Sequence, residues 1–256
     1  FGGYAKRVLH LSHASKEAVT FTIEVDGAGD GKWAELKTVA VPAGGYKYVL
    51  FDDAEPGQWV RLRTDRDASA GTAYFHYGLS AGAVSDATSF ASLPDVDDPG
   101  EYDIGVIRVR GARMGTLHLA ASGVGKDGKA AETGYYEIGP DMKLNRVDDA
   151  KAHNYLKREA KITGPNFTVD DASVIVSEGK ARFRLPKGSA AYDRAWPGGW
   201  PRGVREVVTE RSLFNAHGTF YMLPRTNSSG ARGIKPICTH NKRIADYCSW
   251  RGMLVI

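Results

Sequence analysis

The sequence predicts an all-β protein, and the alternation of apolar and polar residues is the main reason. Short segments in which every second residue is apolar recur along the whole chain, whereas long helical periodicity is almost absent. Glycine, aspartate, asparagine and proline bound these segments, and these residues supply the backbone geometry of tight turns. Many short strands, with a turn about every 8 to 12 residues, are typical of β-sandwiches and β-propellers.

The predicted strands follow one another with little else between them. Each alternates over a few residues and ends at a turn; the clearest are 7–11, 19–25, 59–63, 104–110, 116–119, 181–185 and 219–223. Residues 74–77, with the sequence Tyr-Phe-His-Tyr, are interpreted as a buried aromatic strand with a structural role. The short polar segment 148–157 is the candidate helix.

Two glycine-rich stretches favour a propeller. Residues 26–32 and 122–129 resemble each other, and their separation is close to twice a propeller blade of about 40 to 50 residues. Residues 204–256 add four successive strands at blade-like spacing. We therefore expect a β-propeller, complete or incomplete in this chain.

An alternative layout places a β-sandwich before a partial propeller. The polar stretch 94–100 is the best boundary, which divides the chain into β-rich blades or a sandwich over 1–90 and blades carrying the candidate site over 91–256. The last strand, 252–256, stops without a turn or a tail. We therefore expect a missing remainder of the fold or a partner chain at this edge.

Composition excludes several functions. No apolar run approaches the roughly 20 residues that cross a bilayer, so no membrane span is expected. The net charge is +4 without any run of five or six basic residues, which argues against nucleic-acid binding. The chain begins at Phe1 without a visible leader, as in a mature product, and we expect a secreted or periplasmic protein. The spacing of Cys238 and Cys248 permits a disulfide, although two buried thiols would give the same sequence.

The densest polar and aromatic constellation lies near the C-terminus, in segments 210–221, 238–247 and 249–252. Within it, the pattern of residues 215–221, 239–244 and 249–252 resembles secreted bacterial β-propeller proteins that degrade polysaccharides, and more broadly the propeller-type polysaccharide lyases and glycoside hydrolases. The resemblance covers roughly the last fifty residues, and the first two hundred only in architecture. It implies a carbohydrate substrate, and no catalytic role is carried over from it to individual residues.

A lyase acting on an acidic polysaccharide needs three kinds of group. A base removes the proton next to the carboxylate, an acid protonates the leaving oxygen, and a cation neutralises the carboxylate. Imidazole titrates near neutrality and suits the first role. The candidates are His217 or His240 for the base, Tyr221 or Tyr247 for the acid, and Arg211 or Arg243 for the cation. Of these, His217, His240, Tyr221 and Arg211 form the predicted catalytic set.

Other chemistry remains open. A glycosidase would use two carboxylates, and the available acids are Glu206, Glu210 and Asp246. A divalent metal, calcium or zinc, could bind His217 and His240 with Asn215 or an acid, although no short ligand spacing is present. The acidic turn 95–103 resembles a calcium loop only in composition.

A Pro/Gly loop at 192–202 carries two tryptophans between arginines, and exposed indoles stack on sugar rings while arginines pair with carboxylate or sulfate. The predicted substrate-binding residues are Trp196, Trp200, Arg202, Asn215, Asn241, Arg243, Trp250 and Arg251. The leading hypothesis is an enzyme on acidic or complex polysaccharide, with lyase or glycosidase chemistry. The alternatives are a non-catalytic carbohydrate-binding module and a protein-interaction propeller.

Overall fold

The computed structural model describes residues 1–52, 54–78, 90–98, 100–159, 167–188, 190–193, 204–208, 211–224 and 230–256. The prediction of an all-β protein is confirmed: the described part contains nineteen strands, which pair in antiparallel sheets, and one short α-helix. The chain divides into two compact units, Phe1–Asp86 and Ala87–Ile256. Among the described residues, no helix is long and apolar enough to cross a membrane.

The N-terminal unit consists of two three-stranded antiparallel sheets. Its strands are β1 (Lys6–Ser12), β2 (Val19–Asp26), β3 (Ala34–Val41), β4 (Tyr46–Phe51), β5 (Trp59–Thr64) and β6 (Thr72–Gly78). One sheet has the order β4-β1-β6 and the other the order β3-β2-β5. The chain therefore passes from one sheet to the other several times, rather than completing one sheet before it begins the next.

One hydrophobic core lies between these two sheets. Leu9 and Leu11 from β1 pack with Phe21 and Ile23 from β2, and all four side chains are buried. Because side chains alternate between the two faces of a strand, the residues between them in sequence point away from this core. The alternation that predicted strand 19–25 is thus the alternation between core and surface.

The second unit is built from sheets in which consecutive strands lie side by side. Its elements are β7 (Tyr102–Arg110), β8 (Thr116–Val124), β9 (Ala130–Ile138), β10 (Leu144–Arg146), α1 (Ala150–Glu159), β11 (Phe167–Val169), β12 (Ser173–Glu178), β13 (Ala181–Pro186), β14 (Val204–Val208), β15 (Arg211–Ala216), β16 (Thr219–Met222), β17 (Lys235–Thr239), β18 (Cys248–Trp250) and β19 (Met253–Val255). They form the sheets β10-β9-β8-β7, β11-β12-β13, β14-β15-β16-β17 and β18-β19. Short 3-10 turns lie at Ala112–Met114, Ala190–Asp193 and Gly230–Gly233.

These sheets pack through both of their faces. Phe214 and Tyr221 place one face of the β14–β17 sheet against the β11–β13 sheet. Phe220, on the opposite face, packs against Ile244 and Tyr247. The β18-β19 hairpin in turn shares a core with β7 and β8. Phe220, Ile244, Tyr247 and Trp250 are therefore buried between sheets, whereas β17 and most of β19 are exposed.

Helix α1 lies on the remaining face of the β7–β10 sheet. Asp149 caps its first turn, because the Asp149 carboxylate accepts a hydrogen bond of 2.9 Å from the backbone nitrogen of Ala152. Its apolar anchor is Leu156, which is fully buried in a cluster with Val106 and Tyr135. The helix occurs where the polar segment 148–157 predicted one, shifted by two residues.

Candidate functional site

The turn between β15 and β16 holds the first predicted catalytic residue, His217. His217 and Gly218 have φ values of 47° and 71°, and such a pair of positive values forms the two-residue turn of a tight hairpin. The backbone nitrogen of Gly188 donates a 2.8 Å hydrogen bond to the His217 carbonyl oxygen. A Cβ atom on Gly188 would lie 2.5 Å from that oxygen. His217 is consequently only 1% exposed.

His240, the second predicted base, is held by a fully buried amide. Its Nε2 lies 2.9 Å from the side-chain oxygen of Asn215, so Nε2 carries the proton that this oxygen accepts. The Tyr192 hydroxyl donates to the His240 carbonyl oxygen at 2.8 Å. Burial lowers the pKa of His240 to about 4, and the imidazole is therefore neutral at physiological pH. Asn215 and His240 are thus predicted site residues that the structure brings into direct contact.

Tyr221 lies on the opposite face of the same sheet. It pairs with Phe214 across the strands, and the two rings stack with centroids 5.5 Å apart. Its hydroxyl donates to the carbonyl oxygen of Pro186, and burial raises the pKa of Tyr221. Phe220, whose ring centroid is 5.2 Å from that of His240, occupies the face on which the histidine lies. Tyr221 is therefore a core residue and not the proton donor for the predicted site.

Arg211 begins strand β15 and is exposed. It lies four positions before Asn215, a distance of about 13 Å at a strand rise of about 3.3 Å per residue. The structure therefore does not bring the four predicted catalytic residues together.

The predicted substrate-binding residues Asn241 and Arg243 tie the C-terminal segment to the acidic turn. The Asn241 carbonyl oxygen accepts from the backbone nitrogen of Val96, at 2.9 Å, and Lys242 pairs with Asp95, at 2.7 Å. Arg243 donates to the Val96 and Asp98 carbonyl oxygens. These contacts hold the turn through both side chains and backbone.

Asp246 is buried in a satisfied ion pair. Its carboxylate accepts two hydrogen bonds of 2.7 Å from the guanidinium of Arg205, one of 2.8 Å from the backbone nitrogen of Ile107, and one from that of Tyr247. Asp246 therefore links Arg205 of β14, through a bidentate ion pair, to the backbone of Ile107 in β7. The Tyr247 hydroxyl donates to the Leu213 carbonyl oxygen, at 2.7 Å. Asp246 and Tyr247 thus stabilise the packing between sheets.

The remaining predicted residues are dispersed. Trp250 is buried between β18 and the β7–β10 sheet, and the exposed Arg251 lies over its ring, 5.0 Å from the centroid. Trp196, Trp200, Arg202 and Glu210 lie outside the described residues. Both thiols are free, with Cys238 exposed and Cys248 buried. The described part of the chain contains no group of three or more His, Cys, Asp or Glu side chains suited to a metal ion.

The N-terminal unit carries an aromatic surface that sequence analysis missed. It lies on the outer side of the β4-β1-β6 sheet, and we call it the tyrosine face: His10, Tyr46, Tyr48, Leu50, Tyr74 and His76. His10 lies at its centre, with ring centroids 6.1 Å from those of both Tyr46 and Tyr74. Its Nδ1 is 2.6 Å from the Tyr46 hydroxyl. The face therefore combines flat rings with hydroxyl and imidazole groups.

The tyrosine face is partly open and carries little charge. Tyr74 is 55% exposed and Leu50 is 43% exposed, while His10 and the other two tyrosines are half-buried. Strands β1, β4 and β6 contain no acidic residue. Burial, together with the charge of Lys6, lowers the pKa of His76 to about 4. His76 is therefore neutral near pH 7, and Lys6, on the same face of the sheet, supplies the nearby positive charge.

The alternation of residues within the strands of this sheet already separates the tyrosine face from the core face. The sequence predicts a buried aromatic strand at 74–77, but of these residues only Phe75 packs into the core cluster, and Tyr74 and His76 lie on the opposite face. The same alternation places Tyr46 and Tyr48 together on the outer side of β4. Which strands pair, and hence which rings meet, is not contained in any one of these segments.

Comparison with protein-family models, with curated proteins and with solved structures finds no match to this chain.

Proposed function

We propose that the chain is a non-catalytic carbohydrate-binding module and that the tyrosine face is its binding surface. The observation that carries this proposal is the row of rings on one sheet face, in which Tyr46, His10 and Tyr74 lie about 6 Å apart in succession. Aromatic side chains present flat apolar surfaces with a polar edge, and a sugar ring offers a complementary apolar face bordered by hydroxyl groups. The Tyr74 ring is the most exposed part of this row.

The enzyme hypothesis receives less support from the geometry. A general base must lie within hydrogen-bond reach of the proton that it removes. His217 is buried in a turn, and the lone pair of His240 is on Nδ1, which faces the Tyr192 hydroxyl at 3.3 Å. Tyr221 donates its hydroxyl proton within the core. Lyase or glycosidase activity at this cluster is therefore the second proposal, and a protein-interaction role is the third.

The propeller remains a proposal for the second unit. Two of its sheets, β7–β10 and β14–β17, are four-stranded antiparallel meanders, the arrangement of a propeller blade. The N-terminal unit supports the sandwich alternative for its own residues, because its two sheets share one core. A polysaccharide ligand and a secreted or periplasmic location belong to the same proposal.

The test is a binding panel with soluble neutral and acidic polysaccharides. Retarded migration of the native protein in gels that contain a polysaccharide would support the module. New reducing ends, or the ultraviolet absorbance of unsaturated uronates, would instead support a hydrolase or a lyase. Absence of both binding and product across the panel would contradict the proposal.

A further inference from the structure

A second polar cluster lies on the face of the β7–β10 sheet that helix α1 partly covers. Arg108, His118 and Glu137 are directly opposite one another on β7, β8 and β9. Residues paired in this way share one face, with Cβ atoms about 5 Å apart. Arg110, two residues after Arg108, has the same orientation. The sequence pattern alone does not indicate a function for any of these residues.

Hydrogen bonds fix the protonation of the histidine. The Tyr135 hydroxyl donates to a Glu137 carboxylate oxygen, at 2.8 Å, and His118 Nδ1 lies against the Tyr135 oxygen. Because the tyrosine proton goes to Glu137, Nδ1 must donate its own proton to Tyr135, and Nε2 carries the lone pair. Burial and the nearby Arg110 lower the pKa of His118, so the ring is neutral at pH 7.

Arg108 and Arg110 bring positive charge to this face of the sheet. Arg110 lies 4.2 Å from the ring centroid of Tyr155, and an Arg108 nitrogen donates to the Glu159 carbonyl oxygen at 2.6 Å. Both partners belong to α1. Within the described residues, neither guanidinium lies in ion-pair contact with an acidic side chain. A guanidinium that is stacked or bonded to a carbonyl keeps its full charge and further donors.

We infer that Arg108 and Arg110, with His118 beside them, bind the carboxylate of an acidic sugar. A guanidinium fork matches a planar carboxylate, which can accept two parallel hydrogen bonds. The ring of Tyr155, already stacked on Arg110, gives an apolar wall at the same place. This site belongs to the second unit and stands independently of the tyrosine face.

The direct test compares glucuronate with glucose, two ligands that differ by the carboxylate. Titration of the full chain, followed by calorimetry or NMR, should show binding of glucuronate and none of glucose at this cluster. Arg110→Gln should weaken glucuronate binding about tenfold or more, because a hydrogen-bonded charge is lost. The control Arg182→Gln, at an exposed position of β13, should change nothing. Equal binding of both sugars, or full affinity in Arg110→Gln, would overturn the inference.

A measurement on the unchanged protein covers the case in which Arg110→Gln does not fold. The charged and titratable groups around His118 are Arg108, Arg110, Tyr135 and Glu137 from the sheet, with His153 of α1 stacked on the Tyr135 ring. A bound carboxylate favours the imidazolium, so glucuronate should raise the NMR-measured pKa of His118 and glucose should not.

If glucuronate leaves the pKa of His118 unchanged, the proposed site is overturned. An equal effect of inorganic phosphate and sulfate would overturn its assignment to a carboxylate. Loss of binding in Tyr74→Ala, with Arg110→Gln unaffected, would place the sugar on the tyrosine face instead.

Discussion

The imidazole of His240 donates its Nε2 proton to the side-chain oxygen of Asn215 across 2.9 Å, and the amide that accepts it is fully buried. This contact joins the end of β15 to the segment that follows β17. A neutral histidine in this setting is a structural hydrogen-bond donor. Much of the polar C-terminal constellation therefore stabilises the packing of the sheets.

Replacing Tyr74 by alanine should weaken polysaccharide binding without unfolding the protein. Tyr74 is 55% exposed, so its removal should cost less than about 0.5 kcal/mol of stability. Loss of one stacking ring should reduce the affinity by about 1 kcal/mol, which is about fivefold in Kd. Affinity electrophoresis measures the change.

Trp59→Ala provides the matched control, because Trp59 is an exposed aromatic residue on the other sheet of the same unit. It should bind polysaccharide like the native protein. If Trp59→Ala loses affinity and Tyr74→Ala does not, the binding surface lies on the β3-β2-β5 sheet.

Asn215→Ala should destabilise the second unit by about 1 to 3 kcal/mol. The variant leaves the buried Nε2–H of His240 without its acceptor, and an unsatisfied buried donor loses its solvation without compensation. Urea unfolding measures the effect. Asn241→Ala is the control, since Asn241 is exposed and contributes its backbone oxygen to the contact with Val96. Equal stability of the two variants would contradict the assigned role of Asn215.

Stability should decrease as the pH is lowered from about 6.5 to about 4. The pKa of His240 is about 4 in the folded protein and returns to its ordinary value of 6.5 on unfolding. Between these values the unfolded chain binds more protons, so acid favours unfolding, by roughly 3 kcal/mol for this group. Thermal unfolding over this pH range should show the decrease.

His240→Gln separates this contribution from that of the carboxylates and of His76, whose pKa is also about 4. Glutamine retains a donor for Asn215 but does not titrate. The variant should show a flatter dependence of stability on pH than the native protein. Parallel curves for the two proteins would contradict the depressed pKa of His240.

Gly188→Ala should destabilise the second unit by about 2 kcal/mol or more. The new Cβ would lie 2.5 Å from the His217 carbonyl oxygen, and relief of that clash requires a backbone shift within a packed turn. Circular dichroism during thermal unfolding measures the loss. Gly100→Ala, where a Cβ meets nothing within 4 Å, should leave the melting temperature unchanged. A native-like Gly188→Ala would show that the turn is not tightly packed.

The local pattern of the sequence was sufficient for the strands but not for the site. The alternation in 104–110 and 219–223 reports which residues of a strand face a core, because side chains alternate between the faces. The alternation does not show which of the several hydrophobic cores those residues enter. Tyr221 was a candidate for the site, but it packs against β11–β13, while Phe220 enters a different buried cluster on the opposite face, with Ile244 and Tyr247.

His217 shows why polar residues near a turn are difficult to interpret. A histidine before a glycine, between two strands, is expected at an exposed hairpin tip. Here Gly188 and Tyr192, remote in sequence, pack against the turn. Burial that arises from contacts distant in sequence leaves no periodic signal. The tyrosine face escaped detection for the same reason, since its rings come from three strands.

The central claim is that the tyrosine face binds carbohydrate. Its most direct test is an NMR titration of the full chain with an oligosaccharide prepared from a polysaccharide that retards the protein in the gel assay. We expect the ring signals of Tyr46, Tyr48 and Tyr74 to shift in a saturable manner, while those of the buried Tyr221 and Tyr247 stay in place. Saturable shifts confined to the cluster around His217 and His240, with the three tyrosines unperturbed, would contradict the proposed binding face.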